Sequence, residues 1–282
     1  MNSEITLEIA IKNSAKLLQN QCVNSFNEAI YLMMICLDKE IEWITLNIST
    51  SLSQKDFKHY NQLVDRRLSG EPLAYIRGYQ EFWKHEFIVN SSTLIPRPDS
   101  ETLISAILNY NIFTAPKILD LGTGSGCLLL SLLAEIIDST GVGIDISKEA
   151  LKIAAKNASI LNLADRVTFK NISWDELPDE KYDIIISNPP YIKKKDLAQL
   201  QKELSFEPIT ALVSGDDGLE CYRSILAKIP FISHKDSLIA FEFGQDQEKD
   251  LIKLIPANYE IIVTEKDLSG ILRIIIFKQK ES

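Results

Sequence analysis

The sequence predicts an α/β fold, a seven-stranded, mostly parallel sheet with one antiparallel strand, preceded by a small helical domain. Three observations carry this expectation. From Lys117 onward, apolar strand-like runs alternate with helical patterns, the arrangement that builds a parallel sheet covered by helices on both faces. The last two apolar runs, residues 259–263 and 271–277, are separated by too few residues for a crossover helix and should be antiparallel neighbours. Residues 1–75, by contrast, carry helical periodicity and no strand runs.

In chain order, Ile5, Ile9, Leu17 and Leu18 suggest the apolar stripe of a first helix. Ser25 and Glu28 stand at capping-box spacing before a second, with Met33 and Met34 on a stripe read as core. Ser53 and Asp56 mark a third start, after which Phe57, Tyr60, Leu63, Val64 and Leu68 share one face. Gly70 and Pro72 interrupt the helical pattern, and Phe82, Trp83, Phe87 and Val89 favour a hairpin linker. The expected organisation is a helical domain over residues 1–75, a hairpin linker over 76–94 and the sheet domain over 95–282.

The sheet domain opens with a rigid segment in which Pro96 and Pro98 flank Arg97, and Asp99 is placed to cap the next helix. Arg97 and Glu101 are expected to form an entrance wall beside the glycine loop that follows. That loop joins a strand ending at Asp120 to a helix from Cys127, and its glycines at 122, 124 and 126 surround Thr123. Glycine lets the backbone turn tightly and approach a bulky ligand, while Asp120 can accept a hydrogen bond from an ammonium group. A second strand carries Asp145 at its end, 23 residues beyond Gly122. One strand-helix-strand passage separates a glycine loop from a ribose-binding carboxylate by that interval. Asn171 and Ile172 end a third strand where an adenine would pack, and Trp174 is either an aromatic wall or a boundary residue. These features are shared by nicotinamide and S-adenosylmethionine binders, although the even Gly-Thr-Gly-Ser-Gly spacing fits G-x-G-x-x-G poorly.

The fourth strand ends in Asn188, Pro189, Pro190 and Tyr191, in the position where open α/β sheets bind ligands. An amide side chain, carbonyls without a neighbouring N–H and a flat ring suit the holding of a planar amino or amide group by its hydrogens.

Composition bounds the remainder. The 282 residues are 45% apolar and 24% charged, a globular composition long enough for two domains. Thirty basic against 39 acidic residues give a charge of −9, with no long basic run. A broad duplex-binding face is therefore not expected, although Lys193, Lys194 and Lys195 make a small local patch. Cys22, Cys36, Cys127 and Cys221 form no C-x-x-C pair and read as reduced thiols, and His59, His85 and His234 share no metal-ligand spacing. Neither a signal-peptide pattern nor a membrane-length apolar run is apparent, so a cytoplasmic chain without a membrane partner is expected.

The stretches Gly70 to Ile76, Leu94 to Glu101, Asp120 to Gly126, Asn188 to Ile192, Glu207-Pro208 and Glu242 to Gln245 together resemble the peptide chain release factor glutamine N5-methyltransferases. The resemblance runs from about residue 55 to the end, with Ser100 standing where threonine is expected. It implies S-adenosyl-L-methionine as cofactor, with Asp120 and residues 122–126 around its methionine part, Asp145 on the ribose and Asn171 and Ile172 beside the adenine. It further implies that Asn188 and Pro189 accept the two amide hydrogens of a glutamine in the Gly-Gly-Gln loop of class 1 release factors. Pro190 would stiffen that loop, Tyr191 would pack over the amide, and the helical domain would dock the release factor. A monomer with no stable nucleic-acid partner and no metal is expected. A DNA adenine methyltransferase and a helical adaptor that senses cofactor without turnover are the alternatives.

Overall fold

The computed structural model describes residues 5–281, and the chain divides into two units. One unit runs to Gly78 and takes in Lys202–Phe206, while the other comprises Tyr79–Gln201 and the chain from Glu207 onward.

The first unit is helical. Thr6 caps α1 (Leu7–Leu18), which buries Leu7, Ala10, Ile11, Ser14, Ala15 and Leu18. The expected stripe is corrected here, because Ile9 is 47% and Leu17 61% exposed. Leu7, Ile11 and Leu18 share the inward face with Ala10, Ser14 and Ala15, so of the expected helix residues Leu18 alone lies on it. For α2 (Ser25–Leu37) the cap is Asn24 and not Ser25. Glu28, the expected capping partner, instead accepts a bond from Arg67 Nε at 2.5 Å. A short α3 (Ile41–Leu46) was not expected, since six residues give too little periodicity to read. Ser53 caps α4 (Gln54–Leu68) at Asp56 N, 3.0 Å away, as its spacing suggests. Pro72 does not end helical structure but stands at the start of α5 (Leu73–Arg77), which stops at Gly78 with φ +88°. Leu32, Met33, Tyr60, Leu63 and Ile76 share one core, so the helical unit extends beyond residue 75. Arg67 is buried within it and bonds both Glu28 and Glu203.

The second unit begins with an antiparallel hairpin, β1 (Tyr79–Phe82) and β2 (His85–Ile88). Its sheet contains β3 (Lys117–Leu121), β4 (Thr140–Ile144), β5 (Val167–Lys170), β6 (Tyr182–Ser187), β7 (Ser233–Glu242), β8 (Tyr259–Lys266) and β9 (Leu272–Gln279). The order is β5-β4-β3-β6-β7-β9-β8, and β9 alone runs against its neighbours. Alternate side chains of each central strand enter opposite cores. Ile184 and Ile186 join one cluster with helices α6 (Glu101–Tyr110) and α7 (Cys127–Glu135), and Ile185 joins the other with α9 (Glu220–Ile232) and α10 (Glu248–Leu254). Burial on both faces explains why these strands read as continuous apolar runs. Between β4 and β5 lies α8 (Lys148–Ile160), capped by Ser147. Its buried Asn157 holds the hairpin, accepting from Ile88 N at 2.8 Å while donating to Ile88 O and Ser125 O.

Asp99 does not cap α6. It lies in a short 3-10 turn, Pro98–Ser100, and pairs with Arg273 at 3.3 Å. From β3 the chain adds strands outward on one side, then returns to place β6 on the other. The carboxyl ends of β3 and β6 therefore flank the switch point, where such sheets form a crevice. All four cysteines are free, and among the described residues no helix is long and apolar enough to cross a membrane.

Candidate active site

The glycine loop after β3 is held by its own backbone. Gly122 N and Thr123 N both donate to Ile144 O, at 3.0 and 2.9 Å, so the loop is pinned to the end of β4. Gly122 and Gly124 take positive φ of +80° and +55°, and a Cβ on Gly124 would enter open space. Gly126 serves a different purpose, because a Cβ there would press on Leu130 and Ala154 at 3.1 and 3.3 Å. Beneath the loop Asp120 is 1% exposed. Thr123 Oγ1 donates to its Oδ2 at 2.7 Å, while its Oδ1 is buried without a partner. Burial pushes this carboxyl up to about 7.

Asp145 follows β4 directly. Gly124 N donates to its Oδ2 at 2.9 Å and Ser147 N to its Oδ1 at 2.8 Å. Each oxygen keeps a further acceptor site, and burial raises the carboxyl above its ordinary value. Asn171 reaches back to donate to Asp145 O and Ile146 O, both at 2.9 Å, and so fixes the backbone that presents the carboxylate.

A cleft of ≈ 260 Å³ opens above these groups, lined by Gly122, Gly124, Asp145, Ile172, Trp174 and Asn188 among others. Pro190 also lines it. The remaining expected site residues lie outside its lining. Glu101 Oε1 accepts from Trp83 N at 2.7 Å and so braces the hairpin. Arg97 pairs with Glu207, whose other oxygen accepts from Ile95 N at 3.0 Å. Asp120, Thr123 and Gly126 support the loop from below, and Asn171 supports Asp145.

The tetrapeptide leaves β6 beside β7, with Ser187 opposite Phe241. Asn188 Nδ2 donates to Ser100 Oγ at 3.3 Å, which leaves its carbonyl oxygen to accept from a ligand. Pro189 is buried and contributes a carbonyl with no competing N–H. Tyr191 is fixed through its backbone, because Gln247 Nε2 donates to Tyr191 O at 3.1 Å. Asn188 is thus an acceptor at the cleft wall.

Comparison with known proteins gives the same direction. The PrmC N-terminal domain matches residues 10–78 and a methyltransferase domain matches residues 113–222. The release factor glutamine methyltransferase of Rhodospirillum rubrum is 40% identical over 223 residues, covering 77% of this chain and 68% of that protein. That of Aliivibrio fischeri is 34% identical over 94% of this chain and 95% of its own length. The chain belongs to the release factor glutamine methyltransferase family. Members of this family are not its only relatives, for a bifunctional methyltransferase of Rickettsia felis is 35% identical over 96% of this chain. The chain spans about half the length of that relative, 57% of it. Among solved structures, a ribosomal protein L11 methylase from Lactobacillus delbrueckii subsp. bulgaricus has a TM-score of 0.51 at 16% identity, covering 72% of this chain and 91% of its own. A methyltransferase from Pyrococcus furiosus also has a TM-score of 0.51 at 16% identity, over 69% and 89%. These establish the methyltransferase fold.

Within this release factor glutamine methyltransferase family member, sequence reading missed part of the cleft wall. Thr93, Leu94, Pro208, Thr210 and Ala211 line it from two loops far apart in sequence. Leu94 and Pro208 lay in stretches already singled out by resemblance, but only Glu207 bonding to Ile95 and Arg97 explains why both loops belong to one wall.

Proposed function

We propose that the chain transfers the methyl group of S-adenosyl-L-methionine to the side-chain amide nitrogen of the glutamine in the Gly-Gly-Gln loop of class 1 release factors. The observation that carries this reading is Asn188, which lines the cleft at the sheet switch point with its amide nitrogen engaged by Ser100 and its oxygen left as an acceptor.

The cleft fits the cofactor's chemistry. The partnerless Asp120 Oδ1 is a buried acceptor for an α-ammonium group, and the open space at Gly124 admits a chain that a Cβ would exclude. Asp145 accepts ribose hydroxyls, and Ile172 with Trp174 gives apolar faces to a purine. When bound, the cofactor supplies an electrophilic methyl carried on a sulfonium, which departs as a neutral thioether.

An amide nitrogen is a poor nucleophile because its lone pair is delocalised into the carbonyl. By accepting the two amide hydrogens, Asn188 Oδ1 and the Pro189 carbonyl turn the nitrogen toward the methyl and stabilise positive charge that grows on it. Pro190 restricts the loop, and Tyr191 offers a flat surface against the amide. The nitrogen gains one methyl and loses one proton to water, with no covalent enzyme intermediate. Arg97 and Glu101 act indirectly in this reading, by shaping the loops around the cleft. The helical unit is assigned to docking the release factor.

The test is to incubate the purified chain with methyl-labelled cofactor, a class 1 release factor and, separately, duplex DNA, then to map the mark by peptide mass. Methyl on the Gly-Gly-Gln glutamine is expected, and Asn188→Ala should lower kcat by about 10²-fold or more. Label confined to DNA adenine would overturn the substrate while keeping amino-group chemistry.

A further inference from the structure

Behind Asn188 lies a carboxylate that the proposed transfer does not use. Glu242 closes β7, and the parallel register that sets Ser187 opposite Phe241 brings Asn188 and Glu242 side by side. Glu242 is 1% exposed, and its Oε2 has no hydrogen-bond partner. The Ser100 and Asn188 side chains both favour its ionised form against burial. Ser100 itself is 3% exposed and accepts from Asn188 Nδ2 at 3.3 Å.

Direction is the informative property of this chain of groups. An ionised carboxylate only accepts, so a charged Glu242 draws the single hydrogen of the Ser100 hydroxyl toward itself. Ser100 Oγ can then only accept from Asn188, which turns the Asn188 NH₂ inward and its oxygen outward. A neutral group at position 242 could donate instead. The hydroxyl would be free to donate to Asn188 Oδ1, and the amide could turn over and present N–H to a substrate N–H.

We propose that Glu242 is a positioning residue for Asn188, fixing through Ser100 the orientation of the amide so that its oxygen faces the substrate nitrogen. The inference rests on the methyl-transfer reading given above and extends it to a group with no access to the cleft. Five titratable or charged groups face Glu242. Arg273 on β9 is paired with Asp267 at 3.0 Å and with Asp99 at 3.3 Å. Tyr191 and Cys127 are each pushed up to about 12 by burial, and Tyr222 is raised well above its ordinary value for the same reason. Those three stay neutral near pH 7. Burial pushes the Glu242 carboxyl up to about 7, against the opposing pull of Ser100 and Arg273. Its charge therefore changes near neutral pH.

The experiment measures kcat against pH at saturating cofactor and release factor. In the parent protein kcat should fall as pH drops through about 7, because protonation removes the acceptor that sets the orientation. Glu242→Gln should lose that acidic limb and lower the pH 8 kcat about tenfold or more, with KM and cofactor affinity changed less than about threefold. Ser100→Ala should behave alike, and Ser100→Thr, which keeps the hydroxyl, should restore most of what Ser100→Ala loses. Cofactor affinity also reports folding of each variant. A Glu242→Gln protein with the parent's kcat and acidic limb overturns the proposal. A second measurement needs no turnover: the Asn188 side-chain amide resonances should titrate near pH 7 in the parent and not in Glu242→Gln. Their titration without methylation of a release factor would support the positioning role and overturn the substrate reading; their pH-independence in the parent would overturn the positioning role.

Discussion

Asp120 shows how one buried oxygen ties pH to ligand affinity. Its carboxyl is pushed up to about 7 by burial, and only its ionised form attracts an ammonium group. Cofactor affinity should therefore weaken as pH falls, on the order of tenfold per unit below that value, and Asp120→Asn should bind weakly with a flat profile in titration calorimetry. A profile as steep in Asp120→Asn as in the parent would remove this role. Asp120, the three glycines and Asp145 were legible in the sequence because one strand-helix-strand passage fixes their spacing. Glu242 was quoted there only as part of a resembling stretch, since its proximity to Asn188 is set by pairing of β6 with β7 across some fifty residues of chain.

At the scale of elements, two glycines hold the loop from Asn188 to Tyr191 where it is. A Cβ on Gly218 would lie 2.4 Å from Tyr191 O at φ +77°, and one on Gly244 would lie 2.9 Å from Tyr191 Cδ2. Gly218→Ala must move backbone and should cost about 1–3 kcal/mol of stability, read by chemical denaturation. Gly244→Ala meets a side chain and should instead lower kcat while stability changes less. Equal kcat for parent and Gly244→Ala would show that the Tyr191 ring position is unimportant. The sheet was legible because both faces are buried and the central strands carry apolar runs such as Ile184, Ile185 and Ile186. The helical unit was less so. Two alanines and a serine interrupt the leucines and isoleucine on the inner face of α1, and the recruitment of Glu28 by Arg67 defeats the capping box that its spacing announces.

For the molecule as a whole, Asp120 and Glu242 give stability a pH dependence of definite sign. Both carboxyls are raised to about 7 from their ordinary values of 3.8 and 4.5. The folded state then binds more protons than the unfolded state between those limits, so stability falls as pH rises from about 4 to 7. The exposed Asp217, held at about 2 by Arg223, acts only at lower pH, where its contribution is lost as pH falls from 3.8. Without cofactor the Tm should be lower at pH 8 than at pH 5.5, and Glu242→Gln should narrow the gap. A Tm that rises over this interval would mean other groups dominate. The division of the chain has a separate consequence. Residues 202–206 return to the helical unit after Asn188 to Tyr191 have been laid down and before Glu207 reaches Ile95 and Arg97. No single cut separates the units: a chain begun at Tyr79 would keep Glu203 but lose the Arg67 that binds it. Removing the amino-terminal helices is thus also an injury to the middle of the polypeptide, and loss of activity on such a deletion would not by itself measure lost docking.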